Sequence, residues 1–319
     1  RDGRVGLGYL LNEHGCIKGE ATVANLSASD RGPGRVWSGS AAASEYHDMD
    51  WLAFHLKPDE DVQLRSLTND FTTLVLAGPK ARLVLSDCAR GDWSAKAFPW
   101  LSVRECCIGF APAIVMGISF SGELAYEIHV PNASLYAAYL ALRAAGAEHG
   151  LKLFGSRAVE SMRLEKGFLH WKADLITEFD PFETGLSRFV KMEKDDFIGK
   201  AALAKRKSVG PQSQLVTLRI ETAHAPAHPG ASLMEGDRVV GTITSGEYGH
   251  RVGMNLAYAF VKPDCARVGS TMQLDLCGER VGAHVIDPSP FDPNFERMRS
   301  WPMLFERVSN SSHWTNRSD

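Results

Sequence analysis

The chain has 319 residues, too many for one hydrophobic core and enough for two or three small domains. Its 44% hydrophobic and 23% charged residues are ordinary for a globular protein, and it has neither a run of about 18 apolar residues nor a signal-peptide pattern, so no membrane span is expected. The net charge of −3 gives no global reason to expect nucleic acid as a partner; the local basic stretch Lys200 to Lys207 reads as a solvated helix face or a small patch.

The chain opens with Arg1, directly in what reads as a strand, so we expect that the front part of a longer parent is missing. Val5 to Leu11 and Cys16 to Leu26 flank the turn sequence NEHG and predict a hairpin. Residues 41 to 57 have helical spacing, with Tyr46, Met49 and Phe54 as expected core contacts. Phe71 to Ala77 reads as a strand, broken by Gly78-Pro79 before a helix that starts at Lys80. Ala113 to Ser119 and Tyr126 to Val130 predict strands around the turn SGEL. Ser134 to Gly150 and Gly155 to Gly167 predict helices, each stopped by glycine.

After Val209-Gly210-Pro211 the pattern changes to period two. Leu215 to Ile220, Val239 to Thr244, Leu256 to Val261, Thr271 to Leu276 and Val281 to Ile286 are separated by glycine or proline turns, as in a small antiparallel barrel or sandwich. The stretch from Pro288 reads as a tail or docking segment, and its sequons at Asn310 and Asn316 are taken as chance. The part before the boundary mixes helices and strands without βαβ alternation, which predicts α+β. It has no GxGxxG or Walker loop, so no flavin or nicotinamide dinucleotide is expected on a Rossmann unit of this chain.

The six cysteines, Cys16, Cys88, Cys106, Cys107, Cys265 and Cys277, form no CxxC pair and suit a reducing compartment. Adjacent Cys106 and Cys107 are expected as buried free thiols. His224 and His228 flank a proline-rich loop without a third ligand, so no metal site is expected.

Two carboxylates offer chemistry. Glu20 shares a strand face with Lys18 and Thr22, and is either solvent-facing or poised at a cleft. Glu127, in ISFSGELAYEIHV, needs a partner if its strand is buried: either a structural arginine or a ligand offering paired donors. Arg163, Glu165 and Lys166 read as a charge cluster favoured by a helix C-terminus, and Tyr248, in TSGEYGH, as a turn aromatic or a ligand contact.

Five stretches in order, SFSGELAYEIHVP, SMRLEKGF, DPFETGLSRFVK, DFIGKAAL and VVGTITSGEYG, together resemble one family over roughly Val5 to Ser300. The chain is similar to the aminomethyltransferase family, which includes the glycine-cleavage T-protein. Within it, the resemblance points to the folate-binding C-terminal half of dimethylglycine dehydrogenase, dimethylglycine oxidase and sarcosine dehydrogenase. The resemblance implies a three-domain α+β fold around a central opening, ending in a small antiparallel β-barrel, with its N-terminal portion missing here. It places residues 1 to 62 and 151 to 209 in the central folate-binding domain, 63 to 150 in a partial α+β domain, and 210 to 319 in the barrel and tail.

Carried over by position, the resemblance gives Glu20 the contact to the folate N10 region, with Thr22 as a second contact. Glu127 takes the pterin, whose paired N–H donors suit a bidentate carboxylate. Phe120 stands where relatives often carry tyrosine, and Tyr9 and Tyr248 are further candidates for the pocket walls. The T-protein arginine before the RLE phrase is Val159 here, which leaves open whether Arg157 replaces it. The implied cofactor is tetrahydrofolate, with FAD only in a preceding flavin domain, in cis or as a subunit. The implied reaction forms 5,10-methylenetetrahydrofolate from the iminium or formaldehyde released by oxidation of dimethylglycine or sarcosine. The expected compartment is the cytoplasm in a bacterium or the mitochondrial matrix in a eukaryote. Alternatives are T-protein chemistry on a lipoyl carrier, tetrahydrofolate-dependent demethylation, and a non-catalytic relative.

Overall fold

The computed structural model describes residues 2–26, 34–222 and 225–299; His224 and the two sequons lie outside them. The predicted hairpin is formed by β1 (Arg4–Leu11) and β2 (Ile17–Leu26), and β3 (Arg35–Gly39) pairs with the other edge of β2. A 3-10 turn leads into α1 (Glu45–His55). Here one expectation is corrected. Tyr46 is 83% exposed and Phe54 75%, because they lie two turns apart on the outer face of α1; Asp48, Met49 and Leu52 occupy the inner one.

The second sheet contains β4 (Phe71–Ala77), β5 (Val103–Ile108), β6 (Ala111–Met116) and β7 (Ala125–Pro131), antiparallel in the order β4-β7-β6-β5. One face packs on α2 (Ala81–Cys88) and α3 (Leu135–Gly146) around Leu85, Trp93, Phe98, Ile128 and Leu142. β5 is not predicted from the sequence, and it corrects the cysteine reading. Successive strand residues face opposite ways, so Cys106 packs beside this core while Cys107 is exposed. The same alternation governs β7: Tyr126, Ile128 and Val130 face the helices, and Glu127 and His129 face away from them. On that other side, Val103, Ile114 and Met116 join Val5, Ala24 and Leu26 in an apolar seam between the first two sheets.

α4 (Ser156–Lys166) and α5 (Lys200–Val209) precede the barrel. The barrel consists of β8 (Gln214–Ile220), β9 (Ser232–Glu235), β10 (Arg238–Gly249), β11 (Met254–Val261), β12 (Thr271–Leu276) and β13 (Glu279–Ile286). It closes in the order β10-β11-β8-β13-β12-β9. The expected antiparallel barrel is therefore present, with β9 as a sixth strand, too short at four residues to show alternation. Its interior is filled by Leu218, Ile243, Ala257, Leu274 and Val285. A short helix, α6 (Glu296–Arg299), ends the described chain.

The charge cluster at the end of α4 is buried rather than solvated: Arg163 is 2% exposed, Glu165 0% and Lys166 1%. Arg163 donates to Asp174 (2.6 Å), Glu160 (2.8 Å) and Ser245 (2.9 Å), and Asp174 also accepts from Thr244 and Ser245. Glu165 pairs with Arg251, and Lys166 with Asp292. α4 stops at Gly167, whose left-handed φ of 78° suits glycine, and a Cβ there would run into the Pro288 carbonyl. Thus α4 ties the barrel to the terminal segment. Among the described residues no helix is long and apolar enough to cross a membrane, and no group of three or more His, Cys, Asp or Glu could hold a metal ion.

Candidate functional site

A cavity of about 1150 Å³ lies where the two open sheets, the barrel and the terminal segment meet. β1 and β2 contribute Leu7, Tyr9, Glu20 and Thr22; β4 and β7 contribute Thr73, Glu127 and His129; Thr217 and Tyr258 come from the barrel, and Phe295 and Arg299 from the segment that follows it. Tyr9 sits directly across from Glu20 in the strand register, and Leu7 across from Thr22, so alternation brings all four to one face.

The two carboxylates have different surroundings. Burial pushes the Glu20 carboxyl up to about 7, and a hydrogen bond with the Tyr9 side chain opposes that rise. The Tyr9 hydroxyl is itself pushed up, by burial first and then by the nearby Glu20 charge. Burial also pushes the Glu127 carboxyl above the usual carboxylate range. Among the described residues the basic group facing Glu127 is His129, whose Nε2 lies 3.6 Å from Glu127 Oε2, and no arginine pairs with it. The other ring nitrogen of His129 is 2.9 Å from Thr73 Oγ1, and Trp37 packs on the ring at 5.3 Å. His129 Nε2 is buried without a hydrogen-bond partner.

Of the predicted site residues, Tyr9, Glu20, Thr22, Phe120 and Glu127 all line this cavity. Phe120 lies nearly parallel to Phe168, 7° apart in plane with ring centres 6.4 Å apart, and Phe168 in turn approaches Phe295. Tyr248 is not brought there. It is the penultimate residue of β10, with its ring against His250, and its carbonyl accepts from Ser161 on α4. Val159 lies on the cavity wall, whereas Arg157 is 83% exposed on its side chain and pairs with Glu247 outside it. The sequence reading misses Trp37, His129, Phe168, Arg188 and Phe295 on the walls. His129 had a signal, standing two residues after Glu127 on the same strand face; Phe295 had none.

Residues 1–194 match the family model for the GCVT N-terminal domain, and residues 214–292 that for the glycine cleavage T-protein C-terminal barrel domain. The chain belongs to the glycine cleavage T-protein family. It is 32% identical to human mitochondrial dimethylglycine dehydrogenase over 89% of this chain and 32% of that protein. It is 30% identical to mouse mitochondrial sarcosine dehydrogenase over 91% of this chain and 33% of that one. The chain thus spans about a third of the length of these relatives. The crystal structure of the aminomethyltransferase T of the Bartonella henselae glycine cleavage system shares the fold, with a TM-score of 0.79 at 22% identity over 92% of this chain and 77% of that one.

Proposed function

We propose that the cavity binds a reduced folate and that the chain moves a one-carbon unit onto it. The carbon would come from the iminium or formaldehyde that a flavin domain, in cis or as a subunit, makes from dimethylglycine or sarcosine. The observation that carries this reading is the presence of Glu20 and Glu127, delivered by two different sheets, on the walls of one cavity. The residues suit the ligand: Glu127, with no arginine partner among the described residues, lines a cavity with aromatic walls, beside a histidine whose Nε2 is buried without a hydrogen-bond partner. They do not suit FAD, since the described sheets are all antiparallel and hold no dinucleotide unit.

In this reading Glu127 accepts the paired N–H donors of the pterin. Thr22 and Phe120 hold the plane and the linker beside it, and residues 1–62 and 151–209 form the central domain. Bound folate supplies the nucleophilic nitrogens. As the second N–C bond closes the ring, the amine of the iminium, or the formaldehyde oxygen as water, leaves protonated, and Glu20 takes the proton released at N10, a task for which a carboxyl poised near 7 is well matched. Holding the two reactants together supplies the rest of the rate. The relatives' names support a mitochondrial or bacterial setting for this chemistry.

Measuring methylene transfer and folate binding in parallel tests the reading. Glu20→Ala should slow transfer by roughly 10²–10⁴-fold while folate affinity changes little. Glu127→Ala should weaken folate binding by about 10–100-fold. Equal losses in both quantities from both variants would contradict these roles. Formation of 5-methyltetrahydrofolate instead of the methylene compound would indicate a demethylase, and absence of folate binding a non-catalytic relative.

A further inference from the structure

We infer that His129 is the donor that reads the 4-oxo group of the bound pterin, so that Glu127 and His129 together select 2-amino-4-oxo pteridines over 2,4-diamino ones. The inference rests on the folate reading of the cavity and adds the residue that distinguishes one pteridine from another.

Three observations carry it. Residues two apart on β7 present their side chains on the same face, so the ring of His129 lies beside the carboxylate of Glu127. The His129 residue is 7% exposed and lines the cavity, and its Nε2 has no hydrogen-bond partner, a rare condition for a buried polar atom that calls for an explanation. The 3.6 Å between Nε2 and Glu127 Oε2 is too long for a good hydrogen bond between them, yet short enough for both to serve neighbouring atoms of one ring.

The tautomer follows from the neighbours. Thr73 can donate its hydroxyl proton to Nδ1 at 2.9 Å, leaving Nε2 as the protonated nitrogen. The reverse tautomer would set a ring lone pair against the carboxylate. Burial pulls the His129 pKa down to about 4, so the ring is neutral at pH 7 and offers a single N–H. Packing against Trp37 holds the ring in place.

Along one edge, a 2-amino-4-oxo pterin presents an amino donor, an N3–H donor and an O4 acceptor. Glu127 supplies the two acceptors and His129 the donor, in matching order. In a 4-amino analogue an N–H would meet an N–H, leaving buried donors unpaired.

Binding of tetrahydrofolate and of its 4-amino analogue tetrahydroaminopterin to the full chain, by calorimetry at pH 7, tests this. In His129→Leu the preference for tetrahydrofolate should fall by about tenfold relative to the unmodified protein, while His129→Gln, which keeps an N–H donor, should retain most of it. Glu127 is present in all three proteins, so the comparison reads the contribution of His129 together with its coupling to that neighbouring carboxylate. An unchanged preference in a His129→Leu protein that still melts cooperatively overturns the inference and leaves the folate reading standing. If the unmodified protein binds neither compound, the folate reading fails and this inference falls with it. Should His129→Leu not fold, nitrogen NMR of selectively labelled histidine in the unmodified protein decides. Saturating tetrahydrofolate should shift the His129 Nε2 resonance, and an unmoved resonance overturns the assignment.

Discussion

Glu20 makes the pH dependence of this protein testable from both rate and stability. Its folded-state carboxyl holds a proton up to about pH 7, whereas a free carboxyl of this type releases it near 4.5. If it is the base at N10, the rate of transfer should rise with pH through an inflection near 7, and Glu20→Gln should lack that inflection. Stability moves the other way. Between pH 4.5 and 7 the native state binds the extra proton, so this group's contribution falls as pH rises across that window. Above pH 7 Glu20→Gln should therefore be more stable than the unmodified protein by on the order of 3 kcal/mol in urea unfolding, with the gain vanishing at pH 4. Strand alternation made it legible that Glu20 and Thr22 share a face. His129 shares that alternation with Glu127, but its buried, partnerless Nε2 becomes visible only once the sheet is packed.

At the scale of elements, α4 is where sequence and structure differ most in physical meaning. A sequence places charges at a helix end and suggests the helix dipole; it cannot show that Asp174, Arg251 and Asp292 arrive from distant segments to meet them. The Arg163–Asp174 pair is 2% and 0% exposed on its side chains, so removing one partner strands a buried charge. Asp174→Ala should cost about 3–5 kcal/mol in urea unfolding, while Asp174→Asn, which keeps some of the accepted bonds, should cost less. The barrel was legible because most of its strands run six residues or more in period two, whereas β9 has four; β5 is as long as β12, but its run Arg104-Glu105-Cys106-Cys107 does not alternate. The helical periodicity of α1 identified a helix but not its buried face, since the aromatic Tyr46 and Phe54 lie on the outer side and the polar Asp48 on the inner one.

For the whole molecule, the family, the mixed α+β architecture and the barrel could all be read in advance. The cavity as one shared space could not, because its walls come from β1 near the start of the described residues and from Phe295 and Arg299 near their end. Such walls are set by tertiary docking, of which local pattern carries no trace. The docking contacts are specific: Lys166 holds Asp292, and Arg251 covers the Phe291 ring at 3.7 Å.

That arrangement makes the pocket a clasp. A molecule long enough to span it would touch the first hairpin, the middle sheet, the barrel and the segment after the barrel at once, so that none of them could leave without letting go of it. Occupancy should therefore appear as resistance of the entire chain to melting and to proteolytic nicking, rather than as the quieting of one loop. With tetrahydrofolate at 100 times its dissociation constant the gain should be about 2.7 kcal/mol, seen as one cooperative transition moving to higher temperature. A melting curve that splits, with only part of the chain protected, would mean that the clasp closes on fewer parts than its walls contain.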